Sequence, residues 1–305
     1  DTRRKRLILA RDRYGIAPLF YARHKGALAF ASEAKALIPV IGKLKLDLEG
    51  LCQVFTFWNT VAPRTVFKGV SQLRPGECMV VEESGAKSFR YWDLAFPPEG
   101  EHDIHDEHRA ASGIREILDD AVRIRLRADV PVGAYLSGGL DSSILALLVK
   151  RHAYRMHTFS VSFADEAYDE SRFQQTMGDA LGTIHHVKRI AYQDIGDVFP
   201  AVVRHMETPV LRSAPAPMYL LSGLARDHGV KVVLTGEGAD ELFGGYDIFK
   251  EAKVRRFWAK DPASSLRPNL LFRLYPYSPL QMRRSGGMLL SFYRKDLLET
   301  RHFGY

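Results

Sequence analysis

Between residues 109 and 235, segments with helical apolar spacing alternate with short apolar runs, and this alternation limits the fold more than any other feature of the chain. Within 109–127, Ile114, Ile117, Leu118, Ala121, Val122 and Ile124 recur at three- and four-residue intervals with Arg and Asp between them, which predicts an amphipathic helix. A strand is expected over 130–136, a buried helix over 143–152, a strand over 158–163, and a helix over 170–181 closed by Gly182. A strand over 184–190, helices over 195–206 and 218–228, and a strand over 231–235 complete the series. Strands joined by crossover helices run parallel, so the expected class is α/β: a doubly wound, mostly parallel sheet with helices on both faces.

The chain upstream reads differently. Short apolar runs at 7–10, 19–22 and 27–31, and again at 66–70, 77–82 and 87–92, are separated by turn residues such as Gly15, Pro18, Arg74-Pro75-Gly76 and Ser84-Gly85. Ser32 is expected to cap a short helix over 33–38 that Pro39 stops. The polar, Pro/Gly-rich stretch from Phe96 reads as a linker, so the expected organisation is a strand-rich unit over 1–95, a linker over 96–108 and an α/β unit over 109–305. Beyond residue 260 only short helical patches are legible.

Composition removes several function classes. A hydrophobic share of 46% with a charged share of 26% is too apolar for disorder. No apolar run approaches the roughly 18 to 20 residues a membrane-spanning helix needs, and the basic start Arg3 to Arg6 is followed by only four apolar residues, so neither anchor nor signal peptide is expected. Two cysteines, Cys52 and Cys78, cannot build a disulfide framework, which points to a reducing, cytoplasmic compartment. The net charge of +7 sits at the chain ends: six Lys/Arg against two Asp in 1–13 and eleven against four Asp/Glu in 251–305, with an acidic middle. A nucleic-acid surface is a basic face of the folded body, so no nucleic-acid partner is expected.

Two strings carry chemistry. Leu136-Ser137-Gly138-Gly139-Leu140-Asp141-Ser142-Ser143 lies directly between a predicted strand and a predicted helix. Two glycines allow close approach of the backbone to an anion, while the helix N-terminus and three hydroxyls offer donors. It lacks both the Gly-Lys-Ser/Thr ending of a Walker loop and the Gly-x-Gly-x-x-Gly of a dinucleotide fold, and a Gly/Ser turn that merely caps a helix is the plainer alternative. The second string runs Thr235-Gly236-Glu237-Gly238-Ala239-Asp240-Glu241 after an apolar strand. Spacings of three and four residues are expected to bring Glu237, Asp240 and Glu241 to one helical face, where like charges require a cation. A solvated acidic turn is its plainer reading.

Together the strings resemble the pyrophosphatase loop of enzymes that split ATP to AMP and pyrophosphate. SGGLDSS followed about ninety residues later by GEGADELFGGY is similar to the synthetase domain of the glutamine-hydrolysing asparagine synthetase family. Residues 159–163, 168–171, 182–186 and 213–219 fit the same family, and Arg11-Asp12-Arg13-Tyr14-Gly15-Ile16-Ala17-Pro18, Ser32-Glu33-Ala34-Lys35 and Leu73-Arg74-Pro75-Gly76-Glu77 resemble the rear half of its N-terminal-nucleophile glutaminase domain. The resemblance implies ATP, Mg²⁺, aspartate or a related carboxylate, and glutamine-derived ammonia as partners, and leaves room for a homodimer. By matching position it implies that Leu136 and Val161 meet the adenosine, and that Ser137, Gly138, Gly139, Asp141, Ser142 and Ser143 hold pyrophosphate. Thr235 and Gly236 lie against the nucleotide, Glu237 serves acyl-adenylate chemistry, and Asp141 with Asp240 serves the metal. The family's nucleophile is an N-terminal cysteine, which this sequence lacks at Asp1, so no glutaminase activity is expected of these residues. A downstream lysine used on the phosphates is also expected to lie outside an internal piece of a longer enzyme. β-Lactam-forming relatives, a non-enzymatic nucleotide-binding remnant and a tRNA-modifying ATP pyrophosphatase are the competing readings.

Other conspicuous residues have structural readings. Adjacent residues on a strand face opposite ways, so His185 and His186 are not expected to share a metal ion. Cys52 and Cys78 are expected in the core, Arg11 and Asp12 as an ion pair, and Trp58, Trp92 and Trp258 in core or interface positions.

Overall fold

The computed structural model describes residues 1–98, 100–153, 155–274, 286–295 and 297–298. Its centre is a four-stranded, wholly parallel sheet in the order β10-β7-β8-β9, formed by β7 (Val132–Tyr135), β8 (His157–Phe163), β9 (Ile184–Ile190) and β10 (Val232–Leu234). α3 (Glu107–Arg125) precedes β7, and the helices between the strands are α4 (Leu140–His152), α5 (Ser171–Leu181), α6 (Tyr192–Met206) and α7 (Pro215–Asp227). On one face Leu136, Ala146 and Val149 pack with Val122 and Leu181; on the other Phe159 packs with Leu221, Ala225 and Val230. Both faces of the central strands β7 and β8 are therefore buried, whereas β9 at the edge of the sheet is largely exposed.

The first ninety residues form two three-stranded antiparallel sheets. One is ordered β1-β5-β6, from β1 (Leu7–Ala10), β5 (Glu77–Glu82) and β6 (Gly85–Arg90). The other is ordered β3-β2-β4, from β2 (Phe20–His24), β3 (Ala27–Ala31) and β4 (Val70–Gln72). The run expected over 66–70 is a turn through Gly69 with the strand beginning only at Val70, because Leu46 bridges Phe67 ahead of it. α2 (Leu48–Phe57) was not foreseen. Its cap is legible in hindsight, since Asp47 accepts the Gly50 amide at 2.7 Å, but Leu48 and Phe55 remain exposed, so no single apolar face marks it.

Several expectations are corrected. Pro39 does not end a helix: a 3₁₀ turn over Ala34–Leu37 passes into α1 (Ile38–Ile41), with Pro39 in its first turn where a missing N–H costs nothing. Ser32 caps nothing; the preceding cap position is Glu33, without a side-chain bond. Arg11 and Asp12 are not an ion pair. Arg11, 9% exposed, donates to the carbonyls of Gly15, Ala17 and Leu73, while Asp12 accepts the amides of Ile16 and Ala17. The two residues thus build the turn through backbone groups; burial raises the Asp12 pKa, but the backbone amides and the nearby Arg11 charge outweigh it and hold the carboxyl below its usual range. Cys78 is buried in β5, but Cys52 is exposed on α2. Trp258 is buried at 3%, whereas Trp58 is exposed with Arg212 lying over its ring at 5.0 Å.

His185 and His186 do face opposite ways. His185 packs on Gly178 and pairs through Nδ1 with Thr158 Oγ1 at 2.9 Å, while its buried Nε2 has no hydrogen-bond partner among the described residues. His186 meets His157 edge to edge, Nε2 to Nδ1 at 3.0 Å, and its ring lies against His228 at a tilt of 41° with centroids 3.8 Å apart. Burial lowers the pKa of both, and for His186 the neighbouring His228, His157 and His185 lower it further. The unfolded chain therefore takes up protons on acidification before the native state does. Stability is expected to fall as pH drops through the ordinary histidine value of about 6.5, and His186→Phe is expected to flatten that fall. Urea midpoints at successive pH values check this, and equal slopes in both proteins would remove the assignment to His186.

Candidate functional site

The site begins where β7 ends. Residues 136–139 turn the chain into α4, whose N-cap is Gly139. Gly138 has φ +84, and a Cβ there would lie 2.7 Å from Phe173 Cβ and 2.9 Å from the Gln174 amide nitrogen, so the loop is pressed against the start of α5. Inside the loop Ser137 Oγ lies 2.9 Å from Ser142 Oγ. The Ser137 amide donates to Ser142 Oγ at 3.2 Å and the Gly139 amide to Ser137 Oγ at 3.3 Å. Hydroxyls thus hold the loop open in the shape of a cradle, with amides and hydroxyls that an anion can take over.

β10 lies next to β7 in the sheet, which places its exit beside that cradle. Thr235 and Gly236 leave the strand, residues 237–238 turn, and α8 (Ala239–Phe243) follows. A Cβ on Gly236 would stand 3.1 Å from both Asp141 Cβ and the Ser142 nitrogen. The two strings are in direct contact. Glu237 precedes α8 rather than lying on it, so the expected single helical face is corrected: Gly238, at φ +93, forms the helix cap and sets Glu237 in the turn. The Gly245 amide donates to the Asp240 carbonyl at 3.0 Å, and a Cβ on Gly245 would lie against Asp240 Oδ1.

Both strings open on one cavity of about 350 Å³. Of the expected residues, Leu136, Ser137, Asp141, Ser142, Val161, Thr235, Gly236, Glu237 and Asp240 line it. Gly138, Gly139 and Ser143 do not, and Ser143 Oγ is buried without a hydrogen-bond partner among the described residues. Asp141, Glu237, Asp240 and Glu241 all line this cavity, so one side of it is acidic. Tyr246 donates to Glu241 Oε1 at 3.0 Å, and this bond raises the Tyr246 pKa.

The opposite wall was not legible from the strings. Phe163, Tyr168, Glu170 and Gln174 enter from β8 and the chain after it, and Met218 and Leu221 from α7 on the other face of the sheet. Gln174, 4% exposed, donates through Nε2 to the Val161 carbonyl at 2.9 Å. Phe163, Tyr168, Glu170 and Met218 lie in segments 159–163, 168–171 and 213–219, which fit a family pattern without giving these residues a role; Gln174 and Leu221 carried no advance signal.

The asparagine synthase family model matches residues 113–301. The chain belongs to the asparagine synthase family. A glutamine amidotransferase domain model matches residues 1–92. Over 263 residues this family member is 34% identical to glutamine-hydrolyzing asparagine synthetase 1 of Bacillus subtilis (strain 168), covering 86% of this chain and 41% of that protein. It is 35% identical over 270 residues to amidase chyE of Penicillium rubens, covering 82% of this chain and 39% of that protein. With glutamine-hydrolyzing asparagine synthetase 3 of B. subtilis it shares 32% identity over 273 residues, covering 83% and 43%. The chain thus spans about two fifths of the length of these relatives. Among the described residues no helix is long and apolar enough to cross a membrane.

Proposed function

We propose that the protein containing this chain amidates a carboxylate, aspartate to asparagine, at the expense of ATP, with ammonia derived from glutamine. The reading assigns residues 1–95 to part of a glutaminase domain, 96–108 to a linker and 109–305 to part of the synthetase domain. The observation that carries it is the contact between Gly236 and the Asp141–Ser142 pair, which joins a donor-rich loop to an acidic corner in one cavity.

In this reading the β and γ phosphates lie against Ser137, Ser142 and the N-terminus of α4, with the adenosine towards Leu136 and Val161. The substrate carboxylate oxygen attacks the α phosphorus and pyrophosphate leaves; ammonia then attacks the acyl carbon of the resulting acyl-adenylate and AMP leaves. Glu237, in the turn beside the cradle, takes the proton that the attacking nitrogen releases. Among the described residues no three His, Cys, Asp or Glu side chains converge as a metal cage. Mg²⁺ needs none, because it binds through one or two carboxylates together with phosphate oxygens and water. Asp141 and Asp240, both on the cavity wall, fit that requirement. When bound, the ion supplies charge neutralisation on the leaving pyrophosphate.

Calorimetry of the 305-residue chain with MgATP and with magnesium pyrophosphate tests the site. Both are expected to bind, and Asp141→Asn is expected to weaken both by about tenfold or more, the scale of one lost charge-assisted contact. In the full-length protein, MgATP with aspartate and ammonium is expected to yield AMP and pyrophosphate in equal amounts. Binding with no AMP release there would favour a nucleotide-binding protein over a ligase.

A further inference from the structure

The nucleotide cavity is chemically graded across the sheet. The β10 end supplies carboxylates, the β7 end amides and hydroxyls, and the β8 end Val161, Phe163 and Tyr168 with Glu170 beside them. A triphosphate belongs at the first two, which leaves the β8 end for the base.

The turn that follows β8 is held by Asp165 and Asp169. Asp165 accepts the Ala167 amide at 3.0 Å and the Tyr192 hydroxyl at 2.5 Å. Asp169 accepts the Ser171 hydroxyl at 2.7 Å and the Phe163 amide at 3.3 Å. Both carboxyls are held below the usual range, chiefly by the Tyr192 and Ser171 hydroxyls, as expected of groups spent on structure. The neighbouring Tyr168 and Glu170 are not spent. Tyr168 lines the cavity yet is 64% exposed, and among the described residues its ring stacks on no other aromatic ring and its hydroxyl makes no hydrogen bond. Glu170 occupies the N-cap position of α5, but its carboxylate makes no cap bond.

We propose that Tyr168 and Glu170 are the base-recognition pair of this cavity: the Tyr168 ring stacks on the purine, and the Glu170 carboxylate accepts a hydrogen bond from its 6-amino group. The inference rests on the reading that the cavity takes ATP. An aromatic plane beside an apolar wall fits a flat heterocycle. A carboxylate at that end needs a donor once a ligand displaces water, and the phosphates, being anionic, offer none. A purine with a 6-oxo group would instead present an acceptor to the carboxylate, so the pair discriminates as well as binds.

The test is calorimetry of the 305-residue chain with MgATP, MgITP and magnesium pyrophosphate. Tyr168→Ala is expected to weaken ATP by about tenfold or more and to leave pyrophosphate unchanged, while Tyr168→Phe keeps full ATP affinity. The unaltered chain is expected to prefer ATP over ITP by about tenfold, the scale of one polar contact, and Glu170→Ala to erase that preference. Unchanged ATP affinity in Tyr168→Ala, or equal losses for ATP and pyrophosphate, overturns the stacking role. Equal binding of ATP and ITP by the unaltered chain overturns the role of Glu170. If pyrophosphate and ATP both fail to bind the unaltered chain, the reading of the cavity falls and the inference with it.

Discussion

Gly236→Val is expected to weaken binding of both MgATP and magnesium pyrophosphate by roughly ten- to a hundredfold, the consequence of overpacking by about 1–3 kcal/mol at a contact that cannot yield. The first added carbon already stands 3.1 Å from Asp141 Cβ and the Ser142 nitrogen. One of these neighbours is backbone at the start of α4 and the other carries a proposed metal ligand, so neither can swing aside as the end of a flexible side chain would. Branching at Cβ adds two further carbons on the same side of the loop. The displaced group is the one meant to donate to phosphate, so the loss should appear with pyrophosphate alone and not only with the whole nucleotide. Gly236→Ala should show the same effect in smaller measure. Calorimetry on both variants, with circular dichroism to establish that they fold, measures it; wild-type affinity in the valine variant would mean that the cradle is not the phosphate site.

Glu207→Ala is expected to destabilise the chain by roughly 3 kcal/mol, the loss of two charge-assisted hydrogen bonds from a buried carboxylate. Glu207 follows α6 at φ +54, in a conformation that a side chain of its size seldom adopts. Its carboxylate, 8% exposed, accepts the amides of Ala34 and Lys35 at 2.7 and 2.6 Å. Those amides begin the 3₁₀ turn that has no cap of its own, so the region matched by the amidotransferase domain is completed by a residue of the region matched by asparagine synthase. Lys35 Nζ, 3.6 Å from the same carboxylate, adds an ion pair. Glu207→Gly should cost less than Glu207→Ala, because glycine relieves the left-handed backbone while losing the same bonds. Urea unfolding gives the energies, and hydrogen exchange at Ala34 and Lys35 gives the location. If those two amides remain as protected in the alanine variant as in the parent, the clamp has no such role.

The parallel sheet was legible because short strand-like runs alternate with helical periodicity: 184–190 was expected to be a strand and β9 spans Ile184–Ile190, although this edge strand is largely exposed. Helix ends were read less well where capping is not local. α4 begins at Leu140 rather than Ser143, since the cradle itself is the helix N-terminus. α2 was missed because Leu48 and Phe55 point away from the core, and an apolar residue in water looks the same in sequence as one inside. Nine of the residues expected at the site line one cavity, whereas Ser143, on the buried side of α4, does not.

By itself the sequence determined the alternation of strand and helix and the two strings at strand ends, because hydrophobic period and glycine placement act over a few residues. Tertiary structure alone decided that β10 inserts beside β7, bringing Gly236 onto Ser142, and that Glu207 caps a turn far upstream. Strand order and such distant capping are set by which surfaces bury one another, and no local stretch of sequence encodes that choice.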